Sequence, residues 1–305
     1  MKTVYIDCTE YGHSIVKEHS LLDKVPGLVL NVGDPDNDTL LSLLDGATAI
    51  VNGHTVMNAG LLGLCGALKT IVFLGTGASS YIDLAAAEKH GINVLTVRGY
   101  GNRTNAEHAF ALMLSASRNI ANMDREIRQG KWATPVGIEL SGKRLGVVGA
   151  GGVGTELIKI AHAFGMDVVA WNRSPIPEGL PCRQVMFDEL LASSDVVSLH
   201  LTLNDATRGI IGKRQLAMFK KEAILVNVGR GALIDEPALI EVLKNKEIRH
   251  AALDVFIQEP LPPSHELTTL DNVTLTAHAA FNSHEAMARL LSQGFDALAQ
   301  TIEKH

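Results

Sequence analysis

Residues 145–154, LGVVGAGGVG, constrain the fold of this chain more than any other stretch. The apolar run 145–148 predicts a short β-strand, and residues 155–164 predict an amphipathic helix. The glycines between them have the spacing G-x-G-x-x-G, at Gly149, Gly151 and Gly154. A strand, a glycine turn and a helix in this order form the context in which the spacing indicates a dinucleotide site.

The spacing has a physical reason at each position. The first glycine allows a tight turn, the second lets the backbone approach a pyrophosphate, and the third lets the helix pack close to the strand. The start of the helix then offers unpaired N–H groups and a positive dipole end to the phosphates. The alternative is a glycine-rich turn that holds no ligand, but the flanking strand and helix favour the dinucleotide site.

Length and charge limit the class of protein. A chain of 305 residues is too long for one ordinary core and predicts two domains. Its formal net charge of −6 and its lack of a basic tract argue against a nucleic-acid partner. No apolar stretch reaches the roughly 18 residues of a membrane-spanning helix, and residues 1–10 lack the apolar core of a signal peptide.

Cysteine usage adds a further limit. The three cysteines are far apart and include no C-x-x-C pair; they are Cys8, Cys65 and Cys182. This pattern predicts neither a zinc site nor a disulfide framework, and the sequence predicts no metal. It fits a reducing, cytoplasmic setting.

The first hundred residues alternate short strands with helices. The strands are predicted at 3–6, 28–32, 47–51, 70–74 and 92–97. The helices between them are predicted at 14–22, 39–44, 56–62 and 82–90. This alternation predicts a parallel sheet covered by helices on both faces.

A small glycine turn follows one of these strands directly, at Gly75, Thr76 and Gly77. Ligands of parallel sheets bind beyond the carboxyl ends of the strands. The backbone N–H groups of such a turn can hold a small anion such as a carboxylate. The other interpretation is an ordinary strand-to-loop turn, which these three residues alone favour.

Residues 105–119 predict a long helix whose centre, 109–114, is apolar at six consecutive positions. A helix that is apolar on every face needs neighbours all round, either within one subunit or shared between two. Residues 130–142 form a polar link with glycine and proline, and lead into the glycine motif.

The second half continues the alternation. Strands are predicted at 167–171, 196–200, 223–228, 251–255 and 273–276, which makes six with the strand before the glycines. At the end of the second strand stand Asn172, Arg173 and Ser174. An acid that binds the cofactor ribose is expected about 20 residues after the glycines. Asn172 lies 18 residues after Gly154 and is not acidic.

Three polar side chains follow later strands of this half: Arg230, Glu259 and His278. Because the carboxyl ends of parallel strands share one edge, a cation, a carboxylate and an imidazole can converge on one crevice. The alternative is three unrelated surface groups, and the shared placement favours the crevice.

The chain as a whole resembles the D-isomer-specific, NAD(P)-dependent 2-hydroxyacid dehydrogenases. The resemblance covers nearly all of it, from LKTIVFLGTGASSYIDLAAAEKHGINV through GNRTNAEHAFALML, GKRLGVVGAGGVG and VNVGRGALIDEPAL to ALDVFIQEPLP and LTAHAAFNSHEA. It implies an α/β protein with two doubly wound parallel-sheet domains. A flavodoxin-like substrate domain would comprise 1–100 and 283–305, and a Rossmann cofactor domain 101–282. The stripe of apolar residues in the last helix fits its return to the first domain.

The resemblance also implies the roles of single residues. Arg230 would anchor the substrate carboxylate, and Gly75, Thr76 and Gly77 would bind its other oxygen. His278 would be the acid/base, and Glu259 would favour its imidazolium form. Further cofactor contacts are implied at Gly152, Val153, Leu201, Thr202, Thr207, Val228 and Asp254. The expected reaction is reversible reduction of a 2-oxo acid to the D-2-hydroxy acid.

The cofactor is expected to be NADP rather than NAD, although NAD stays possible. Asn172 lacks the charge that would repel a 2′-phosphate, while Arg173 and Ser174 supply a guanidinium and a hydroxyl that suit it. The contrary interpretation has Arg173 stacking on the adenine and serving both cofactors equally.

The resemblance leaves several alternatives open. Members of the family are typically homodimers. A homodimer of this chain would bury the apolar helix 105–119 against its symmetry mate. Some relatives are cofactor-sensing corepressors that bind proteins, but the lack of a tail after His305 favours an enzyme. The substrate ranges from glyoxylate, hydroxypyruvate and pyruvate to bulkier 2-oxo acids.

Three positions depart from the family pattern, and the roles of others stay open. Ala277 and Thr202 stand where proline is common. Arg98, a third such position, either reaches the crevice or is solvated, which is favoured. His54, Tyr100 and Phe281 are unranked candidates for the pocket.

Overall fold

The computed structural model describes residues 1–303, and its chain divides into two compact units. The first unit comprises Met1–Gly101 and Asn282–His305, and the second comprises Asn102–Phe281. Lys304 and His305, which end the range predicted for the first domain, lie outside the described residues. The first unit is therefore built from both ends of the chain.

The first unit is a five-stranded parallel sheet with helices between the strands. Its strands are β1 (Lys2–Cys8), β2 (Val29–Val32), β3 (Ala47–Asn52), β4 (Thr70–Phe73) and β5 (Asn93–Thr96), in the order β2-β1-β3-β4-β5. This is the flavodoxin-like order, as expected. The central strands β1, β3 and β4 are buried almost throughout, because helices cover both faces of the sheet.

The helices of this unit begin where a polar side chain caps them. They are α1 (Glu10–Glu18), α2 (Asn37–Leu44), α3 (Ala59–Leu64) and α4 (Leu84–Lys89). The preceding side chain of each accepts a hydrogen bond from a backbone N–H of the first turn; the caps are Thr9, Asp36, Asn58 and Asp83. The prediction placed the start of α1 four residues too late and that of α3 three residues too early, because it followed apolar residues instead of these caps.

The last helix, α11 (His284–Glu303), packs against the first unit. Its buried residues are Ala286, Leu290, Leu291, Gly294, Phe295 and Leu298. The Phe295 ring meets Tyr5 of β1 edge to face at 6.3 Å. A Cβ at Gly294 would lie 2.4 Å from a methyl carbon of Leu74, so glycine permits the close approach of this helix.

The second unit contains a seven-stranded parallel sheet. Its strands are β6 (Arg144–Val148), β7 (Asp167–Trp171), β8 (Arg183–Gln184), β9 (Val196–Leu199), β10 (Ile224–Asn227), β11 (His250–Leu253) and β12 (Val273–Leu275). The order β12-β11-β10-β9-β6-β7-β8 is that of a Rossmann fold with one added strand. The predicted count of six was wrong, because β8 has only two exposed polar residues and shows no apolar run.

Six helices accompany this sheet: α5 (Asn102–Ser117), α6 (Ile120–Arg128), α7 (Gly152–Ala163), α8 (Phe187–Ser193), α9 (Lys213–Leu216) and α10 (Glu236–Lys244). Helix α6 was not predicted. The residue before it, Asn119, adopts a left-handed backbone conformation with φ of 54°, so the chain turns between α5 and α6. Across residues 1–303, no helix is long and apolar enough to cross a membrane.

Helix α5 is not buried on every face within the chain. One stripe is buried, including Ala109, Leu112 and Met113. Phe110 and Leu114 are only half-buried, and Ala111 is exposed. Burial all round within one subunit is therefore excluded, and one apolar side of α5 stays open.

A buried histidine at the start of β11 makes the second unit sensitive to acid. His250 is 3% exposed and its Nε2 lies 2.9 Å from the Thr274 hydroxyl. Burial, and secondarily the positive charges of Arg249 and Arg125, lower the pKa of His250 to about 4. Below its unfolded pKa of about 6.5 only the unfolded chain takes up this proton, so stability falls as the pH drops from about 6.5 towards 4.

We expect His250→Gln to reduce this loss of stability. Between pH 7.5 and pH 5, His250 should account for about 2 kcal/mol of the decrease in unfolding free energy. Urea unfolding followed by circular dichroism at both pH values measures it, with the exposed His162→Gln as control. An equal decrease in the wild type and His250→Gln would contradict the assignment.

Candidate active site

The carboxyl ends of the parallel strands β6 to β12 lie along one edge of the second unit's sheet. Nearly all the site residues predicted for this unit follow these ends, and Thr207 lies in the loop after β9. The segments at this edge are 149–154, 172–174, 200–202, 228–230, 254–259 and 276–278. The site is therefore assembled from separate strand ends, as the parallel topology requires.

The glycine loop is packed too tightly for side chains at its first and last glycines. Gly149 has a φ of +99°, and a Cβ there would lie 2.8 Å from the His200 carbonyl oxygen. A Cβ at Gly154 would lie 2.0 Å from the Gly149 oxygen. Only the second glycine, Gly151, has open space around its Cβ position. The loop is therefore open at Gly151, where a ligand would approach the backbone.

Helix α7 begins at Gly152, three residues earlier than predicted. Its N-cap is Gly151, which offers no side chain to bond the first-turn N–H groups. Unbonded N–H groups at the start of a twelve-residue helix attract anions. The residues present here fit the pyrophosphate of a dinucleotide.

Asn172 ties the end of β7 to the glycine loop. Its side-chain oxygen accepts a hydrogen bond from the Ala150 N–H at 3.3 Å, and its amide donates to the backbone oxygen and hydroxyl of Ser174, each at 3.1 Å. The neighbouring Arg173 is exposed, and among residues 1–303 its guanidinium has no hydrogen-bond or ion-pair partner. A cation is therefore available beside the end of β7.

Glu259 and His278 form a close pair. His278 Nδ1 lies 2.7 Å from Glu259 Oε2, and the other oxygen of Glu259 accepts a hydrogen bond from the Phe256 N–H at 2.8 Å. The carboxylate is thereby fixed by the backbone and orients the imidazole. No residue in the described range 1–303 forms a hydrogen bond with the other ring nitrogen, so Nε2 is free to exchange a proton with a ligand.

The backbone at His278 is held in an uncommon conformation. Its φ of 49° lies in the left-handed region, which is unfavourable for a residue with a side chain. The His278 N–H donates to the Asp254 carbonyl at 2.8 Å. Strained backbone of this kind persists only where its surroundings fix it, and here Asp254 does so.

Asp254 binds the histidine loop with both carboxylate oxygens. Oδ1 accepts from the Thr276 hydroxyl at 2.5 Å and the Ala279 N–H at 2.9 Å, and Oδ2 accepts from the Ala280 N–H at 2.9 Å. Burial raises the pKa of Asp254, but hydrogen bonds from His108, Thr276 and the two amides outweigh it and hold the pKa below its ordinary value. Asp254 is thus a buried anion that positions His278, and its expected contact with a cofactor stays a prediction.

Arg230 stands on a turn that a buried asparagine organises. The side chain of Asn227, which is fully buried, donates to the Arg230 carbonyl at 2.9 Å and accepts from the Gly229 N–H at 3.0 Å. The Arg230 side chain is exposed, and its Nη1 bonds the Gly229 oxygen at 2.8 Å. The guanidinium keeps further donors for a ligand.

Other residues that were predicted to contact the cofactor pack against or hold the loops in this structure. Leu201 packs over Gly149, and a side-chain carbon lies 2.8 Å from where a glycine Cβ would stand. The Thr207 hydroxyl donates to the Thr202 carbonyl at 2.7 Å and thus closes the loop after β9. Val228 is 7% exposed. Their contacts with a cofactor also stay predictions.

In the first unit, Gly75, Thr76 and Gly77 follow β4 after one intervening residue, Leu74, and Gly75 has a φ of +150°. A second loop at this edge, after β3, is held by Asp7. This buried carboxylate accepts hydrogen bonds from the backbone N–H groups of Gly53, His54 and Thr55 at 2.7–2.8 Å.

Sequence reasoning missed the residues that hold the loops, chiefly Asp7, His108, Asn227 and Thr276. Two of them gave a recognisable signal, because Asp7 and Asn227 are polar residues at the ends of apolar strands. A polar side chain buried at such a position must find partners, and backbone N–H groups of the next loop are the nearest ones.

This chain is similar to several known proteins. The family model described as "D-isomer specific 2-hydroxyacid dehydrogenase, NAD binding domain" matches residues 110–280. A glyoxylate reductase of Aeropyrum pernix is 37% identical over 87% of this chain and 84% of its own. A D-3-phosphoglycerate dehydrogenase of Archaeoglobus fulgidus is 40% identical over 78% of this chain, but over only 46% of its own.

One similar solved structure is an acyclic imino acid reductase in complex with NADPH and D-Arg. It is 28% identical and has a TM-score of 0.83, with coverage of 100% of this chain and 98% of that one. The likeness therefore extends over both units and not only over the region that the family model matches.

Proposed function

The chain belongs to the family of D-isomer-specific 2-hydroxyacid dehydrogenases, and we propose that it reduces a small 2-oxo acid to the D-2-hydroxy acid with a nicotinamide cofactor. The observation that carries this proposal is the Glu259–His278 pair at 2.7 Å, whose Nε2 has no partner among residues 1–303. The similarity to a glyoxylate reductase supports a small 2-oxo acid such as glyoxylate as a substrate.

The residues of the second unit divide the work of this reaction. A nicotinamide cofactor held at the glycine loop would supply the hydride that reduces the carbonyl carbon of the substrate. Arg230 binds the substrate carboxylate with its charge and planar donors. His278 donates the proton from Nε2 to the carbonyl oxygen as negative charge develops there. Glu259 orients the ring through its contact with Nδ1.

For the cofactor we propose the glycine loop as the pyrophosphate site. Gly149, Gly151 and Gly154 shape it, and the first-turn N–H groups of α7 bind the phosphates. Asn172 and Ser174 would serve the adenine ribose. In the first unit, the N–H groups of Gly75, Thr76 and Gly77 would bind a carboxylate oxygen of the substrate.

We expect His278→Ala to lower 2-oxo-acid reduction by roughly 10²–10⁴-fold while cofactor affinity stays nearly unchanged. Glu259→Gln keeps an acceptor for the Phe256 N–H but loses its charge, so it should lower the rate less. Steady-state reduction of glyoxylate, hydroxypyruvate and pyruvate measures activity, and fluorescence titration measures cofactor binding. His278→Ala activity within a few-fold of the wild type would refute the assignment.

The finer proposal for the cofactor is NADPH rather than NADH. The unpartnered guanidinium of Arg173 and the uncharged Asn172 beside it support this preference. A charge-assisted bond between Arg173 and a 2′-phosphate would contribute roughly 1.5–3 kcal/mol, or about 10- to 100-fold in affinity.

We therefore expect kcat/KM to be higher with NADPH, and Arg173→Ala to lower it by about 10-fold or more with NADPH while leaving the NADH value nearly unchanged. The control is Arg183→Ala, which removes an exposed cation of the nearby strand β8. A wild-type preference for NADH, or equal losses with both cofactors in Arg173→Ala, would contradict this proposal.

We further propose that the protein is a homodimer that pairs through α5 and α6. Phe110 and Leu114 of α5 are only half-buried. Ile120 and Ile127 of α6 are 52% and 56% exposed, and Trp132 after it is 86% exposed. A symmetric pairing of two chains would remove these apolar side chains from water.

Multi-angle light scattering at micromolar concentration should give twice the chain mass of 32.7 kDa. The double variant Ile120→Glu/Ile127→Glu should shift the protein towards the monomer, because it would bury two carboxylates in the interface. Leu64→Glu, at a 72% exposed position of the first unit, is the matched control. A monomeric wild type would overturn the proposal.

A further inference from the structure

Outside the candidate active site, the first unit brings together two histidines and a glutamate from opposite ends of the chain. Glu18 ends α1, His19 directly follows it, and His284 begins α11. One ligand atom from each of the three lies within 4.8 Å of the other two. No step of the proposed reaction uses these residues. None of the three is a cysteine, so the spacing of the cysteines gives no signal for them.

The donor set is one that divalent transition metals bind. Two imidazole nitrogens and a carboxylate oxygen suit Zn²⁺, Ni²⁺ and Cu²⁺ in preference to Mg²⁺ or Ca²⁺. Zn²⁺ binds such ligands at about 2.0–2.1 Å, so two ligand atoms of a tetrahedral site lie roughly 3.3 Å apart. His284 Nε2 and Glu18 Oε1 are 3.5 Å apart. This pair therefore already has the separation that the metal requires.

Tyr11 supplies the outer support that metal-binding histidines usually have. Its hydroxyl lies 3.0 Å from His284 Nδ1. With a metal bound to Nε2, Nδ1 carries the ring proton and donates a hydrogen bond to the phenol oxygen. This bond orients the ring and fixes the tautomer that presents the Nε2 lone pair. A contact of this kind distinguishes the cluster from a chance meeting of exposed side chains.

The ligands stand on two helices that are fixed by packing. Ile15 and Val16 of α1 and Leu290 and Leu291 of α11 all belong to one buried core cluster. The ligand atom of His19 lies within 4.8 Å of those of Glu18 and His284, so a rotation of its side chain would bring it to the metal.

We propose that Glu18, His19 and His284 bind one divalent transition metal ion. The physiological ion is Zn²⁺, and a water molecule is its fourth ligand. The ion links the end of α1 to the start of α11. In the absence of metal these exposed groups contribute little, since surface ion pairs are weak. The metal adds a bridge between residues 265 positions apart in the sequence, and stabilises the first unit.

The test titrates ZnCl₂ into the full-length, chelator-treated protein by isothermal titration calorimetry. We expect one equivalent to bind in the micromolar range. His19→Gln and His284→Gln should each weaken binding by roughly 30-fold or more, and Tyr11→Phe by about 10-fold, since it leaves all three ligands in place. The control His90→Gln removes an exposed imidazole of the same unit and should bind like the wild type.

Two further measurements identify the ligands and the structural effect. With Cu²⁺, electron paramagnetic resonance should show coupling to two imidazole nitrogens in the wild type and to one in each histidine variant. Saturating Zn²⁺ should raise the melting temperature of the wild type and His90→Gln, but not that of His284→Gln.

Absence of saturable one-to-one binding, or equal affinity in the wild type and the His19→Gln/His284→Gln double variant, would overturn the proposal. Reduction of 2-oxo acids by chelator-treated protein is measured separately, so failure of one proposal leaves the other intact.

Discussion

The candidate active site depends on a buried carboxylate that holds the loop of His278 in place. Asp254 is fully buried, and its oxygens accept hydrogen bonds from three donors of the loop that contains His278. An ionised group in this position is costly to bury unless its partners are complete, so the loop can adopt only conformations that supply all of them. The left-handed backbone of His278 follows from this requirement.

The same device recurs at other strand ends. Asp7 near the end of β1 and Asn227 at the end of β10 are buried. Asp7 accepts from backbone N–H groups of the loop after β3, and Asn227 bonds the Gly229 N–H and the Arg230 carbonyl of the loop after β10. The apolar strands of a parallel sheet place such polar residues where the sheet ends, and their unmet hydrogen-bonding needs then determine the shapes of the loops. The scaffold thus orders the segments that we propose to bind ligands without occupying their exposed surfaces.

Most of the fold could be predicted from the sequence, because both sheets have strands with unbroken apolar runs. Every predicted strand agrees with the structure to within two residues. The errors have local causes: β8 has no apolar residue, and the helix starts depend on caps such as Thr9 and Asn58. The positions of Arg230, Glu259 and His278 after strand ends could be predicted because the strands could be predicted. The hydrogen bonds of Asp254 and His108 could not, since they depend on distances between residues far apart in the sequence.

The split composition of the first unit has a consequence for how the chain matures. Its core cluster includes Tyr5, Val51 and Leu74 from the first hundred residues, and Leu291 and Phe295 from α11. During synthesis the ribosome must complete the whole second unit before α11 emerges. The sheet of the first hundred residues therefore has an uncovered apolar face until α11 is synthesised. A prematurely terminated chain keeps that face exposed, so it can bind chaperones or aggregate.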